Sequence, residues 1–225
     1  MTEASRLRRV ITTLARIYTN AADEPTDPFE LILFENVAYL VDDDRRHLVF
    51  KRLHDEIGLT PKAILQCSAA QIASVIADGG MRPPMRAEKL IECALIADAQ
   101  DLSELRSAIK TDAVRAKRML RAYPGVGEPL ADKILLFCGD RPSLAPDSNV
   151  LRVLIRLGFG REEKNYGATY RSVTSETSAL IRDPAEGRRG HAALRRHGQV
   201  VCKRASPRCE FCAVRTECNW YSAQA

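Results

Sequence analysis

The sequence predicts an all-α protein, on three observations. Apolar residues recur at three- and four-residue spacing along segment after segment. No stretch alternates apolar and polar residues as a half-buried strand does. Aromatic residues make up only 6% of the 225-residue chain. With 45% hydrophobic and 28% charged residues, the composition is that of a folded globular protein rather than a disordered one. No apolar run approaches the roughly 20 residues needed to cross a bilayer. Residues 1–27 lack the apolar core and cleavage pattern of a secretory signal. These features predict a cytoplasmic protein in a reducing compartment, with no membrane partner. The 34 basic residues outnumber the 29 acidic ones, a net charge of +5 that permits a polyanionic partner without establishing one.

The elements follow in chain order. Residues 5–18 place Leu7, Val10, Ile11, Leu14 and Ile17 on one helical face. The segment 20–28 (NAADEPTDP) is a break. Residues 28–41 (PFELILFENVAYLV) form a helix opened by Asp27 as N-cap and by Pro28, apolar nearly all round and therefore central and buried. Helices are expected at 43–56, 60–66, 69–77, 84–98, 103–109 and 112–121, with the loop GGMRPP at 79–84. A glycine turn in YPGVGEPLADKILLFCG (123–139) leads into a further helix. After the loop 140–148, helices are expected at 149–157, 165–182 and 187–197.

Four of the seven cysteines crowd the end of the chain as Cys202, Cys209, Cys212 and Cys218, spaced C-x6-C-x2-C-x5-C. Disulfides do not suit a reducing compartment. Four thiolates at this spacing can hold a tetrahedral zinc or a cubane iron–sulfur cluster, and the single tight pair favours the cluster. Cys67, Cys93 and Cys138 lie alone in apolar surroundings and read as core residues.

Three further features can carry chemistry. Gly125, Val126 and Gly127 lie between two helices, where backbone N–H groups can seat a phosphate; the alternative is a plain helix–helix turn. Asp147 precedes a helix, the usual place of an N-cap. Glu35 sits on the most apolar helix. It is either a satisfied structural carboxylate or a general acid whose proton affinity is raised by burial.

Taken in order, DPFELIL, GMRPPMRAEKL, YPGVG, PDSNVLRVL and LRRHGQVVC leading into the four cysteines make the chain resemble the endonuclease III-like helix-hairpin-helix DNA glycosylases. The resemblance spans about Pro28 to Cys218. It implies a [4Fe–4S] cluster on Cys202, Cys209, Cys212 and Cys218, and phosphate binding by Gly125, Val126 and Gly127. It implies an enzyme that flips out a damaged or mispaired base from double-stranded DNA and cleaves its N-glycosidic bond. Asp147 matches the family's catalytic aspartate. Glu35 aligns with a glutamate of the adenine and thymine/uracil mismatch branches, which in the adenine enzymes protonates the departing base. Leu40 matches the position that fills the gap left by the flipped base, an apolar wedge if it is not core. Tyr39 is a pocket-lining or core residue. Arg82 contacts the orphan base or a phosphate, or is simply solvated. Lys203, Arg204 and Arg208 sit on the cluster loop, where they contact phosphates or keep the loop soluble; Arg195 and Arg196 can extend that patch. Trp220 is expected to cover the cluster or to dock the C-terminus.

The departures shape the functional reading. Bifunctional members carry a lysine that attacks the sugar, and here Pro129 occupies that position. Proline has no amine, so lyase chemistry is expected to be absent or weak. Lys133, one turn further on, is a possible substitute amine, or a solvated or phosphate-contacting lysine. Glu128 places negative charge near the expected phosphate. The adenine branch carries a further C-terminal domain that is not expected here, the chain ending at Ala225. The sequence therefore predicts two helical domains with a DNA-binding cleft between them: a six-helix barrel over 27–139, and an iron–sulfur domain made of 1–26 and 140–225. It predicts a monomeric, nucleoid-associated, monofunctional base-excision-repair glycosylase. Alternatives are a glycosylase/lyase using Lys133, a non-catalytic lesion-binding protein and a zinc-held DNA-binding module.

Overall fold

The structure is a computed structural model that describes residues 2–19 and 24–224. Of the break expected at 20–28, residues 20–23 lie outside the described residues. The described residues contain helices and no β-strand, as the periodicity predicts; one isolated bridge joins Tyr39 to Gly80. The chain divides into two compact units, Ala22–Gly139 and Met1–Ala21 with Asp140–Ala225. No helix among the described residues is long and apolar enough to cross a membrane.

In the first unit, α2 (Pro28–Asn36) is central and packs against α3 (Asp43–Glu56), α6 (Pro83–Ala99) and α9 (Glu128–Gly139). Phe29, Leu31, Ile32, Leu33 and Phe34 are all buried, which fits a helix with no polar face. Fully burying each such side chain stabilises the fold by about 1.5–3 kcal/mol. Asp27 caps α2 by accepting from the Phe29 and Glu30 N–H groups at 2.9 and 3.2 Å. The helix stops at Asn36 rather than at residue 41. The cause is tertiary: past Val37 the backbone turns so that the Tyr39 N–H donates to the Gly79 carbonyl at 2.8 Å. Short helices α4 (Pro61–Leu65) and α5 (Ala69–Val75) pack on α6, while α7 (Leu102–Thr111) and α8 (Ala113–Leu120) lead to the hairpin before α9. Cys93 is buried and Cys67 and Cys138 pack against this core; burial pushes the Cys93 and Cys138 thiols up to about 12.

In the second unit, α1 (Glu3–Ile17) lays Leu7, Val10, Ile11 and Leu14 against α12 (Pro184–Val200). Helix α10 (Ser148–Leu157) packs on α12, on α11 (Tyr166–Thr177) and on α13 (Asn219–Ser222). Helix α11 ends at Thr177, short of residue 182, because the chain must turn before Asp183 caps α12; the turn carries Ile181 into the core.

Candidate active site

Two segments of the first unit form the wall of an open recess of about 1100 Å³, lined by Glu35, Asn36, Tyr39, Leu40, Met81, Arg82, Arg86 and Gly125 among others. The sequence placed Glu35, Tyr39, Leu40, Arg82 and Gly125 in the site, and the fold brings these five to one recess. Tyr39 is 55% exposed and Leu40 73% exposed, so neither is a core residue. Both Leu40 and Arg82 adopt left-handed backbone conformations, at φ 58° and 55°. Side-chain-bearing residues seldom do so, and such strain clusters at functional sites.

The hairpin begins with Gly125 at φ 80°, where a Cβ would lie 2.8 Å from the Asn36 Oδ1. Val126 turns inward, its N–H donating to the Tyr123 carbonyl at 3.1 Å. Among the described residues no acceptor meets the Gly125 or Gly127 N–H. These donors precede the N-terminus of α9, where an anion is favoured. Glu128, exposed on the first turn, opposes that preference.

Glu35 is held by two cations. Its Oε1 accepts from Lys133 Nζ at 2.7 Å and its Oε2 from Arg46 Nη1 at 3.1 Å. Lys133 Nζ also meets Glu24 Oε1 at 2.7 Å, and both cations lie within 6 Å of the Phe34 ring. Lys133 does not match the phosphate contact expected of it: it is 3% exposed and bonded to two carboxylates. An amine nucleophile must be unprotonated and must reach the sugar; this ammonium is buried between carboxylates. The same pairing bears on Glu35. Each of its carboxylate oxygens faces a cation.

In the second unit, Asp147 is the N-cap of α10. Its Oδ1 accepts from the Asn149 and Val150 N–H groups at 2.8 and 2.9 Å, and its Oδ2 pairs with Arg195. Arg195 is 8% exposed and serves this carboxylate, so it does not extend a surface patch as expected. Burial, and after it the Asp147 charge, raises the Tyr166 phenol.

The four terminal cysteines are free and line one cavity of about 290 Å³, together with Arg156, Arg215 and Trp220. Among the described residues no three Cys, His, Asp or Glu side chains are gathered as a site for a single ion. The donor set nonetheless suits a group carrying several positive charges. Burial, followed by the charges of the neighbouring cysteines, raises the Cys209 thiol, and Cys212 is pushed up to about 11, first by burial, though the Val214 backbone opposes it. A cationic iron–sulfur core would relieve that crowding. Outer contacts are in place: Arg156 Nη1 donates to the Cys202 Sγ at 3.3 Å and His197 Nε2 lies 3.4 Å from Cys212 Sγ. Lys203, Arg204 and Arg208 are exposed on this loop. Arg152 and Arg156 tie it to α10 by donating to the Cys202 and Lys203 carbonyls at 2.9 and 2.8 Å. Arg156 lies 4.7 Å from the Trp220 ring.

Reading the sequence missed Arg86, Arg46, Glu24 and the role of Arg195. No local signal marks them, because the partners of each are set by the tertiary fold.

No family model matches the chain. It is 26% identical over 196 residues to endonuclease III of Sulfolobus acidocaldarius, covering 86% of this chain and 82% of that protein. It is 28% identical over 96 residues to the thymine/uracil-DNA glycosylase of Pyrobaculum aerophilum, covering 42% of each. A solved non-covalent complex of endonuclease III with DNA superposes with a TM-score of 0.73 at 23% identity, over 100% of this chain and 99% of that one, which shows a shared fold. With the helical hairpin, the capped Asp147 and the cysteine loop, these likenesses make the chain similar, over most of its length, to the endonuclease III-like helix-hairpin-helix DNA glycosylases.

Proposed function

We propose that the chain is a base-excision-repair DNA glycosylase that hydrolyses the N-glycosidic bond without lyase chemistry. The observation that carries this reading lies at the hairpin: Pro129 stands where the lyase members carry a lysine, and Lys133, one turn on, is buried between Glu24 and Glu35. The hairpin amides and the exposed Lys203, Arg204 and Arg208 bind phosphates of double-stranded DNA. Leu40 enters the stack, and Tyr39 and Arg82 contact bases at the recess. In the reaction the C1′–N bond breaks and the base leaves with the bonding pair. Glu35, protonated before the step, delivers that proton to it, Asp147 stabilises the cationic sugar, and a water oxygen bonds to C1′ while the proton the water sheds returns to the Glu35 carboxylate through solvent. Two backbone N–H bonds and Arg195 favour the ionised Asp147 that this role requires. Cys202, Cys209, Cys212 and Cys218 hold a [4Fe–4S] cluster, whose contribution is to fix the basic loop rather than to react. The protein acts as a monomer on a damaged or mispaired base.

The test is base release from duplexes carrying uracil, thymine mismatches, hypoxanthine, 8-oxoguanine opposite adenine, oxidised pyrimidines and alkylated purines, each read with and without alkali. Strand cleavage only after alkali is expected for at least one substrate. Cleavage without alkali overturns the monofunctional reading. Duplex binding with no base release from any substrate favours a non-catalytic lesion-binding protein.

A further inference from the structure

We propose that Arg86 is a positioning residue for base displacement: its guanidinium locks the two segments that carry Leu40 and Arg82 into one rigid jaw. The inference rests on the glycosylase reading and concerns how the recess is held in shape. Arg86 lies on the first turns of α6 and is only 5% exposed. It donates to four backbone carbonyls. Nε reaches the Met81 carbonyl at 2.9 Å, Nη2 the Gly80 carbonyl at 3.0 Å, and Nη1 both the Ile76 carbonyl at 3.2 Å and the Val37 carbonyl. Val37 belongs to the segment leading to Leu40; Gly80 and Met81 belong to the segment leading to Arg82. One planar fork thus satisfies carbonyls from both sides of the seam, a geometry that a lysine cannot reproduce.

The seam is tight. A Cβ on Gly79 would lie 2.6 Å from Arg86 Nη1, and a Cβ on Gly80 would collide with the Tyr39 carbonyl oxygen. Beyond the seam the chain enters left-handed conformations at Leu40 and at Arg82, with both side chains exposed. Such conformations persist only where the surroundings over-determine them. Among the described residues, Arg86 is the side chain that bonds both segments. A wedge must meet the base stack without yielding, and a jaw fixed before binding spends no ordering entropy when the nucleotide leaves the stack.

The experiment uses the whole protein and a duplex with a tetrahydrofuran abasic analogue opposite 2-aminopurine. Wild-type protein is expected to prefer this duplex over the intact one and to raise the 2-aminopurine fluorescence. Leu40→Ala and Arg86→Lys are each expected to lose about tenfold of that preference, together with the fluorescence rise. Combining Leu40→Ala with Arg86→Lys should cost no more than about twofold beyond either alone, because both remove one wedge. Should Arg86→Lys not fold, Gly80→Ala strains the same seam from the other side and should give the same loss, again without adding to Leu40→Ala. Retention of preference and fluorescence in the seam variants overturns the proposal, as does a combined loss that multiplies the single ones. If wild-type protein shows no preference for the abasic duplex, the glycosylase reading itself fails and the proposal falls with it.

Discussion

Asp147→Asn is expected to reduce single-turnover base release by about 10²–10⁴-fold, the range lost with a positioned acid–base group. The substitution separates chemistry from structure. Asparagine caps a helix as well as aspartate does, so the bonds from the Asn149 and Val150 N–H groups survive. What disappears is the negative charge that stabilises the cationic sugar. Arg195 also loses its partner at the Asp147 Oδ2. That pair is partly exposed, so the expected cost is about 1 kcal/mol, a fall in Tm of roughly 2–4 °C. Asp147→Ala should lower Tm further, because the cap is lost as well, by about 1 kcal/mol. A protein that only binds lesions would show the same small changes in Tm with no change in any DNA-dependent property.

The second large effect is on stability. Lys133→Met should destabilise the Ala22–Gly139 unit by about 3–5 kcal/mol, a fall in Tm near 10 °C. Methionine matches the stem of lysine but leaves Glu24 and Glu35 without the ammonium that bonds both at 2.7 Å. Arg46 reaches only Glu35. Breaking a buried ion network by removing one member is costly because the remaining charges stay desolvated. Adding Glu24→Gln to Lys133→Met should therefore recover part of the loss, and thermal denaturation of the two single variants and the double variant measures the coupling. Simple additivity would mean that the carboxylates reach solvent and that Lys133 is not the centre of the network.

These two effects also mark what the sequence conveys and what it hides. Local physics was legible: Asp27 and Pro28 open α2, the apolar residues of Phe29–Phe34 bury it, and Asp147 caps α10. The end of α2 was not legible. Val37-Ala38-Tyr39-Leu40-Val41 continues an apolar pattern, and only the approach of Gly79 and Gly80, far along the chain, turns it into an exposed loop. Buried charges were hidden for the same reason. Lys133 looks accessible on an amphipathic helix, yet its partner Glu35 lies 98 positions away. Arg195 adjoins Arg196 and reads as part of a basic patch, while its partner Asp147 lies 48 positions away. Arg86 carries no sequence signal, because its acceptors are carbonyls, which every residue has. The recess residues Glu35, Tyr39, Leu40, Arg82 and Gly125 were legible because their motif positions resemble a known family; spacing alone left each with a structural alternative.

Lesion identity does not enter the most direct test of the central claim, which is that no amine of this chain attacks the sugar. A duplex with a preformed abasic site is incubated with the protein and borohydride, then resolved under denaturing conditions. The account predicts no covalent protein–DNA adduct and a strand that stays intact until alkali is added. Any borohydride-stabilised adduct would contradict it; one that disappears in Lys133→Ala would mean that Lys133 had left Glu24 and Glu35 to form a Schiff base.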